Sequence, residues 1–366
     1  MTILIVGAGL SGCVLAEQFA TRLNKQVLVI EKRDHIGGNC YDYIDENGIL
    51  VSKYGAHLFH TDYEDVWSYV NQFSEWCRWD HRVVCSVDDK LVPMPVNINT
   101  VNAICGENIK TPAEMDKWLN NIQEKPSDTP KNGEEMAKSR VGNMLYEKLF
   151  KEYTFKQWSK YPSELLPEVL ARIPVRNNHD DRYFTDKYQA LPKHGYTKFV
   201  ESLINHHNIT VKTSVDYFDL SGSNFETVIY TGPIDAYFKN IIGEKLEYRS
   251  IKFVKEDYKN MEGYYQSNSV VNYPGTDVEF TRIVEYKHFL NQKSPHTTIV
   301  KEYSTDEGEP YYPVLNAKNL AIYEKYKKLA EGEKNVHFIG RLANYKYFNM
   351  DQAIKNALDY FNNNFV

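Results

Sequence analysis

The sequence lacks any cysteine pair at metal or redox spacing. Its five cysteines, Cys13, Cys40, Cys77, Cys85 and Cys105, all fall in the first third, with no CxxC and an odd total. That usage argues against a disulfide framework and for reduced thiols. Cys13 lies inside a glycine-rich turn and Cys85 in the apolar run Val83-Val84-Cys85, where a small buried hydrophobe is the expected role, so no cysteine is assigned chemistry. A net positive charge is also lacking. The net charge is -6, which leaves no field for nucleic acid or an anionic membrane, and an anionic ligand must be held by a few placed arginines. Long apolar runs are missing: Glu17 and the glycines break the only stretch that approaches the roughly 20 residues of a spanning helix. The chain opens directly into Ile3-Leu4-Ile5-Val6, without a basic leader or small-residue cleavage site, and the expectation is an unexported, cytoplasmic protein. A nucleophile elbow, a kinase motif set, HExxH and an evident Ser-His-Asp combination are absent too, so a cofactor is expected to carry the chemistry.

What is present begins with a nucleotide-binding opening. With 366 residues, 42% of them hydrophobic, the chain can bury a large core and is expected to divide into two or three domains. Ile3 to Val6 reads as a strand, Gly7-Ala8-Gly9-Leu10-Ser11-Gly12 as a turn, Cys13 to Asn24 as a helix and Gln26 to Glu31 as a second strand. Gly7, Gly9 and Gly12 match G-x-G-x-x-G in its required setting: the first turns the chain, the second admits a pyrophosphate, the third packs helix on strand. Glu31, 19 residues past Gly12, is placed to accept the ribose hydroxyls of an adenosine. A structural turn beside a surface glutamate is the bland alternative. The following Gly37-Gly38 pair resembles the FAD-binding opening of amine-oxidase-like flavoproteins and tilts the cofactor from NAD to FAD, although alone it reads as a plain turn.

Residues 111 to 171 carry helical spacing (Met115, Trp118, Leu119; Met144, Leu145, Leu149), punctuated by Pro126 and Pro130. From Leu246 to Tyr303 apolar and polar residues alternate, with turns at Asn272-Tyr273-Pro274-Gly275 and Ser294-Pro295, which predicts a mainly antiparallel sheet. An α/β pattern then returns, with a helix over Leu320 to Ala330, a strand from Val336 to Gly340 and a last helix from about Asp351. The strand ending Phe338-Ile339-Gly340-Arg341, followed by the helix near Asn349-Met350-Asp351, resembles the segment that closes the flavin site in those enzymes. A helix N-terminus there favours the negative charge of a reduced flavin. Arg341 can balance a pyrophosphate or serve as a surface arginine. His57 and His60 find no further metal ligands at usable spacing, so a metal site is rejected; they face the flavin or are satisfied buried histidines.

Four further segments are more specific: Tyr153-Thr154-Phe155-Lys156-Gln157-Trp158, Ala171-Arg172-Ile173-Pro174-Val175-Arg176, Phe280-Thr281-Arg282-Ile283 and Tyr311-Tyr312-Pro313. With the flavin opening and Gly340-Arg341-Leu342 through Tyr347, the chain resembles the prokaryotic UDP-galactopyranose mutases over nearly its whole length. The resemblance implies an α/β (α+β overall) fold, with a Rossmann-like FAD-binding domain (1–80, 192–236 and 333–366), an inserted helical domain with a substrate loop (98–178) and an antiparallel-sheet domain (81–97, 179–191 and 237–332). It also implies a homodimeric isomerase in cell-surface polysaccharide biosynthesis that interconverts UDP-galactopyranose and UDP-galactofuranose. FAD is active when reduced, by a donor such as NAD(P)H. Flavin N5 attacks the anomeric carbon, UDP leaves, the flavin-sugar iminium opens the ring, and the sugar recloses before UDP returns, with no net redox change.

Carried onto this chain, the resemblance makes Arg172 and Arg282 the diphosphate clamps and, with His60, the catalytic residues. Pro174 keeps the Arg172 loop out of helix, which leaves it free to move. The bland alternatives are a solvated loop charge for Arg172 and an exposed cross-strand salt bridge for Arg282. The cofactor falls to Gly7, Gly9, Ser11, Gly12, Glu31, Lys32, Gly38 and Asn39, and to His57, His60, Arg341, Tyr347 and Met350. Tyr153, Thr154, Trp158 and Tyr183 are assigned to the uracil or sugar. Arg249, Asn272, Tyr311, Tyr347 and Asn349 complete the substrate set, although with 28 tyrosines any single one is more often core or surface than site. Two positions depart from the pattern the resemblance implies: Ser159 stands where glycine is expected, and Asn349 where aspartate is expected of many relatives. Three rival readings stay open: an amine-oxidase-like oxidoreductase, which has no use for two diphosphate arginines; a mutase for a related UDP-sugar; and a non-catalytic nucleotide-sugar binder, against which the intact glycine motif argues.

Overall fold

In the computed structural model, which describes residues 2–124, 128–220, 225–239 and 241–366, the opening strand Thr2–Val6 is the middle of a five-stranded parallel sheet. Gln26–Ile30 and then Ile209–Lys212 lie on one side of it, Thr227–Tyr230 and Val336–Phe338 on the other. Parallel pairing needs long crossovers, and here most of the chain is spent inside them. The helix after the glycine turn, Leu10–Arg22, starts three residues earlier than the spacing predicts, so Ser11 and Gly12 occupy its first turn. Glycine is required at position 12, since a Cβ there would lie 2.0 Å from the Gly7 carbonyl oxygen. The helix ends before Asn24, which takes a φ of 48°, a conformation asparagine tolerates. Its other flank packs on the C-terminal helix Met350–Phe365, with Phe19 set edge-on to Phe361 and Phe365 at 5.2 and 4.7 Å. First and last helices therefore share one core.

The alternating segment forms a seven-stranded sheet ordered Tyr312–Pro313, Tyr248–Tyr258, Thr297–Thr305, Arg282–Glu285, Val270–Asn272, Val83–Val87 and Lys90–Met94. All neighbours are antiparallel except Val270–Asn272 with Val83–Val87. Pro93, which cannot donate to a ladder, is accommodated because its strand is an edge. A three-stranded sheet of Phe59–Thr61, Tyr188–Pro192 and Trp76–Arg78 brings the histidine segment to the same region.

Residues 111 to 171 are helical as the spacing predicts: Pro112–Ile122, Gly133–Leu145, a π-helical turn Tyr146–Lys151, Glu152–Trp158 and the short Glu168–Ala171. Thr111 caps the first of these by accepting from the Glu114 amide while Glu114 accepts from the Thr111 amide, with Pro112 pre-set at the first position. Pro126 lies outside the described residues. Ser159 ends the Glu152–Trp158 helix with φ 49° and ψ 27°, the left-handed cap that glycine adopts without cost. A glycine would take this backbone freely, and serine meets it under strain. Among the described residues no helix is long and apolar enough to cross a membrane.

Candidate active site

At the cofactor end, three separate stretches of backbone meet. The Gly7 amide donates to the Ile30 carbonyl, the Gly37 amide to the Ala8 carbonyl, and the Ala8 amide to Glu31 Oε2 at 2.9 Å. Glu31 is 7% exposed and its Oε1 also accepts from the Arg33 amide. Gly38 has φ 56°, and a Cβ on it would stand 2.9 Å from the Gly9 Cα. The two glycine pairs therefore form one cradle that side chains would fill. Gly9 offers no side-chain cap to the helix that follows, so the first-turn amides stay available to an anion. These features fit a dinucleotide pyrophosphate. Ser11 borders the same cradle, because a Cβ on Gly340 would meet its Oγ at 3.1 Å. Lys32 is exposed and paired with Glu309 at 2.8 Å, and Asn39 accepts from Arg33. Met350 opens the C-terminal helix beside Cys40, their sulfurs 3.6 Å apart.

Between cradle and large sheet lie the histidines. His57 Nδ1 bonds the Gly55 carbonyl at 2.9 Å, and burial lowers its pKa to about 4, with Arg341 and Arg282 adding to the effect. His60 stacks on Phe184 at 3.7 Å and brings its Nδ1 to 3.1 Å from Asp186. Asp351, in the first turn of the last helix, is 5% exposed; burial raises its pKa against the pull of His60. A small pocket opens beside His57 between Leu191, Tyr196, Tyr286 and Phe289. Cys13 and Cys85 are buried with their thiols pushed up, Cys85 to about 12, so neither is a nucleophile. Among the described residues no three His, Cys, Asp or Glu side chains group as a metal site.

The arginines meet around Tyr347. Arg172 places its guanidinium carbon 4.1 Å from the Tyr347 ring centre, and that of Arg341 lies 5.3 Å away. Burial alone would raise the Tyr347 phenol, but Arg172, Arg341 and Arg282 hold it below its ordinary value. Tyr312 stacks on Tyr347 at 5.3 Å, and Trp158 approaches both rings. Arg172, Arg282, Tyr153, Tyr183, Tyr312 and Tyr347 all keep solvent-accessible surface although they lie deep in the protein mass, which defines an open cleft. The Arg172 segment caps the short helix Glu168–Ala171, and Arg140 holds it by donating to the Ala171 and Ile173 carbonyls, both at 2.7 Å.

Strand register supplies the rest. Cys85, Asn272, Arg282 and Glu302 are successive partners across four neighbouring strands, so their side chains form a row on one face. Arg282 does make a cross-strand ion pair, Nε to Glu302 Oε2 at 2.7 Å, but a buried one: the Glu302 side chain is 2% exposed. Burial would lower the Arg282 pKa, and Glu302 more than reverses this. Glu302 Oε1 and Asn272 Oδ1 are buried without a partner. Thr154 is buried.

The structure does not bring every assigned residue together. Arg249 is 3% exposed and committed to Asp306, Ser304 and the Gln157 carbonyl, so it braces the cleft wall instead of lining it. Tyr311 turns towards Tyr54 and Phe253, and its neighbour Tyr312, the first residue of the edge strand, faces the arginines. Asn349 caps the last helix, its amide donating to Gln352. Glu302, Tyr312 and Asp186 were not singled out from the sequence. Glu302 carried a signal as an acid on the strand face of the buried Thr298 and Val300, and Tyr312 stood inside the segment Tyr311-Tyr312-Pro313.

The UDP-galactopyranose mutase family model matches residues 148–347, and that of an NAD(P)-binding Rossmann-like domain matches residues 5–73. A probable UDP-galactopyranose mutase of Klebsiella pneumoniae is 41% identical, over 97% of this chain and 92% of its own length. The dTDP-fucopyranose mutase of Escherichia coli is 36% identical, over 98% and 96%. The crystal structure of a reduced UDP-galactopyranose mutase shares the fold, with a TM-score of 0.79 at 17% identity over 98% of this chain and 94% of that one. A family model spanning more than half the sequence, and relatives aligned almost end to end, agree with the dinucleotide cradle and the arginine-lined cleft: the chain belongs to the UDP-galactopyranose mutase family.

Proposed function

We propose that the chain interconverts UDP-galactopyranose and UDP-galactofuranose with FAD in the cradle, and that the convergence of Arg172, Arg282 and Arg341 on Tyr347 and Tyr312 is its diphosphate site. A UDP group that leaves and returns carries concentrated negative charge, which fixed guanidinium groups stabilise more strongly inside a cleft than in water. Arg172, exposed on a short helix end, is placed to engage and release the nucleotide, while Arg282 is held rigid by Glu302. Tyr347, its phenol made more acidic by the arginines, donates a strong hydrogen bond to phosphate. Trp158, Tyr153 and Tyr183 offer flat faces to uracil or sugar. Gly7, Gly9, Gly12, Gly38 and Glu31 would hold the dinucleotide, with His57, His60 and Met350 towards the flavin ring. Reduced flavin, when bound, supplies the nucleophilic nitrogen for a covalent exchange at the anomeric carbon without net redox change, and an external donor such as NAD(P)H must provide the electrons.

A second reading, a mutase for another nucleotide-linked hexose, is favoured by the dTDP-fucopyranose mutase relative. Both are tested by anaerobic incubation of the flavin-loaded protein with UDP-galactofuranose or dTDP-fucofuranose, with and without dithionite, followed by chromatography. Conversion of UDP-galactofuranose only after reduction, with the flavin still reduced at the end, supports the first reading. Turnover of the dTDP sugar alone supports the second, and net flavin oxidation overturns both.

A further inference from the structure

Lys156 sits on the helix Glu152–Trp158 between Tyr153 and Trp158, yet its side chain leaves the cleft. Its ammonium lies 2.5 Å from the Tyr273 carbonyl oxygen, 2.7 Å from that of Gly275, and 3.2 Å from those of Val278 and Phe280. An ammonium has three protons, so four converging carbonyls amount to a cation site with a lysine as its resident ion. All four belong to the one loop that joins Val270–Asn272 to Arg282–Glu285, the strands that end in Asn272 and begin at Arg282. The next residue fastens the same helix to the same sheet, since the Gln157 carbonyl accepts from Ser304 Oγ and from Arg249 Nε.

We infer that Lys156 is a positioning residue: its ammonium, held by the carbonyls of residues 273 to 280, fixes the helix bearing Tyr153 and Trp158 against the strand ends bearing Asn272 and Arg282, and so sets the width of the cleft. This rests on the cleft being a nucleotide-sugar site. Without a cation the four carbonyl oxygens face one another with no donor, and the loop or the helix must give way. Burial draws the Lys156 pKa down to about 8, against Asp277 and Glu152, so tests belong at pH 7, where it is charged.

The molecule contains its own control. Lys287 Nζ is taken up by the Met261, Glu262 and Gly263 carbonyls at 3.0 to 3.1 Å, the same device on a loop that carries none of the cleft residues. The experiment compares Lys156→Met and Lys287→Met in the flavin-loaded enzyme for melting temperature, for KM and kcat with UDP-galactofuranose, and for UDP affinity by calorimetry. Both variants are expected to melt earlier. Only Lys156→Met is expected to raise KM and the UDP Kd, by about tenfold or more, with kcat changed much less. Lys156→Ala, which leaves room at the carbonyl ring, should recover UDP affinity in ammonium or methylammonium chloride and not in tetramethylammonium chloride of equal ionic strength. Equal effects of the two methionine variants on KM and UDP affinity, or no recovery with the small ammonium ions, would overturn the inference. Failure of the mutase reading looks different, because the wild type itself then fails to turn over; the UDP affinities of the variants still decide the role of Lys156. A wild type that binds no UDP removes the cleft reading and the inference together.

Discussion

Arg282→Met should destabilise the protein strongly, for a reason that can be worked through. The Glu302 side chain is 2% exposed, one oxygen bonded to Arg282 Nε at 2.7 Å and the other without a partner. At a separation near 3.5 Å and an effective dielectric of about 20, the pair attraction is about 5 kcal/mol. Breaking a buried pair by removing one member costs about 3–5 kcal/mol, because the other charge stays behind. For a chain of this length that is a fall in melting temperature of about 5 °C. Glu302→Gln alone should cost less, about 1–2 kcal/mol, since solvent reaches the Arg282 side chain, which is 28% exposed. The double variant Arg282→Met/Glu302→Gln should therefore be more stable than Arg282→Met. Scanning calorimetry of the three variants at pH 7 tests the argument. A single variant as stable as wild type, or a double variant no better than the single, refutes it.

Arg172 is exposed, so Arg172→Ala should leave the melting temperature nearly unchanged while kcat/KM for the nucleotide sugar falls by about 100-fold; a large loss of stability with activity intact would assign it a structural role instead. Gly12→Ala drives a methyl to 2.0 Å from the Gly7 carbonyl oxygen, and the purified variant should lose bound flavin, read from its absorbance, or fail to fold. His57 and His81 are kept neutral mainly by burial, at about 4 and about 3. Since both pKa values are depressed, their contribution is complete above about pH 6.5 and is lost as pH falls towards them, on the order of 5 kcal/mol between pH 6.5 and 4. His81→Phe, at a site 4% exposed beside Phe184 and Phe289, should flatten that acid decline in melting temperature; an unchanged slope would show that His81 does not drive it.

Much of this protein is written in local patterns. The turn Gly7 to Gly12 with Glu31 behind it, the helical spacing of residues 111 to 171 and the alternation from Leu246 to Tyr303 each depend on neighbours a few positions away, and the corresponding elements form where those patterns stand. The segments around Trp158, Arg172, Arg282 and Tyr347 marked the residues that meet in the cleft, because each side chain projects from an element whose type its own segment dictates. Ser159 illustrates the limit of such reading: the departure from glycine is visible in one dimension, but the left-handed backbone that explains it is not.

Tertiary structure alone decided which residues pair. Arg282 meets Glu302 through strand register, a relation between segments 20 residues apart, and the same register adds Asn272 and Cys85 to the row. Tyr312 faces the arginines and Tyr311 does not, because the edge strand begins at Tyr312, while Tyr311 ahead of it packs towards Tyr54 and Phe253. Arg249 carries the charge expected of an anion site, yet its position opposite Gln157 and Asp306 turns that charge to bracing. Lys156, two and three residues from the cleft aromatics Trp158 and Tyr153 on the same helix, reaches carbonyls 117 to 124 positions away. Sequence spacing specifies the element and the side-chain chemistry at each position. Burial, register and the approach of distant backbone determine what that chemistry is used for.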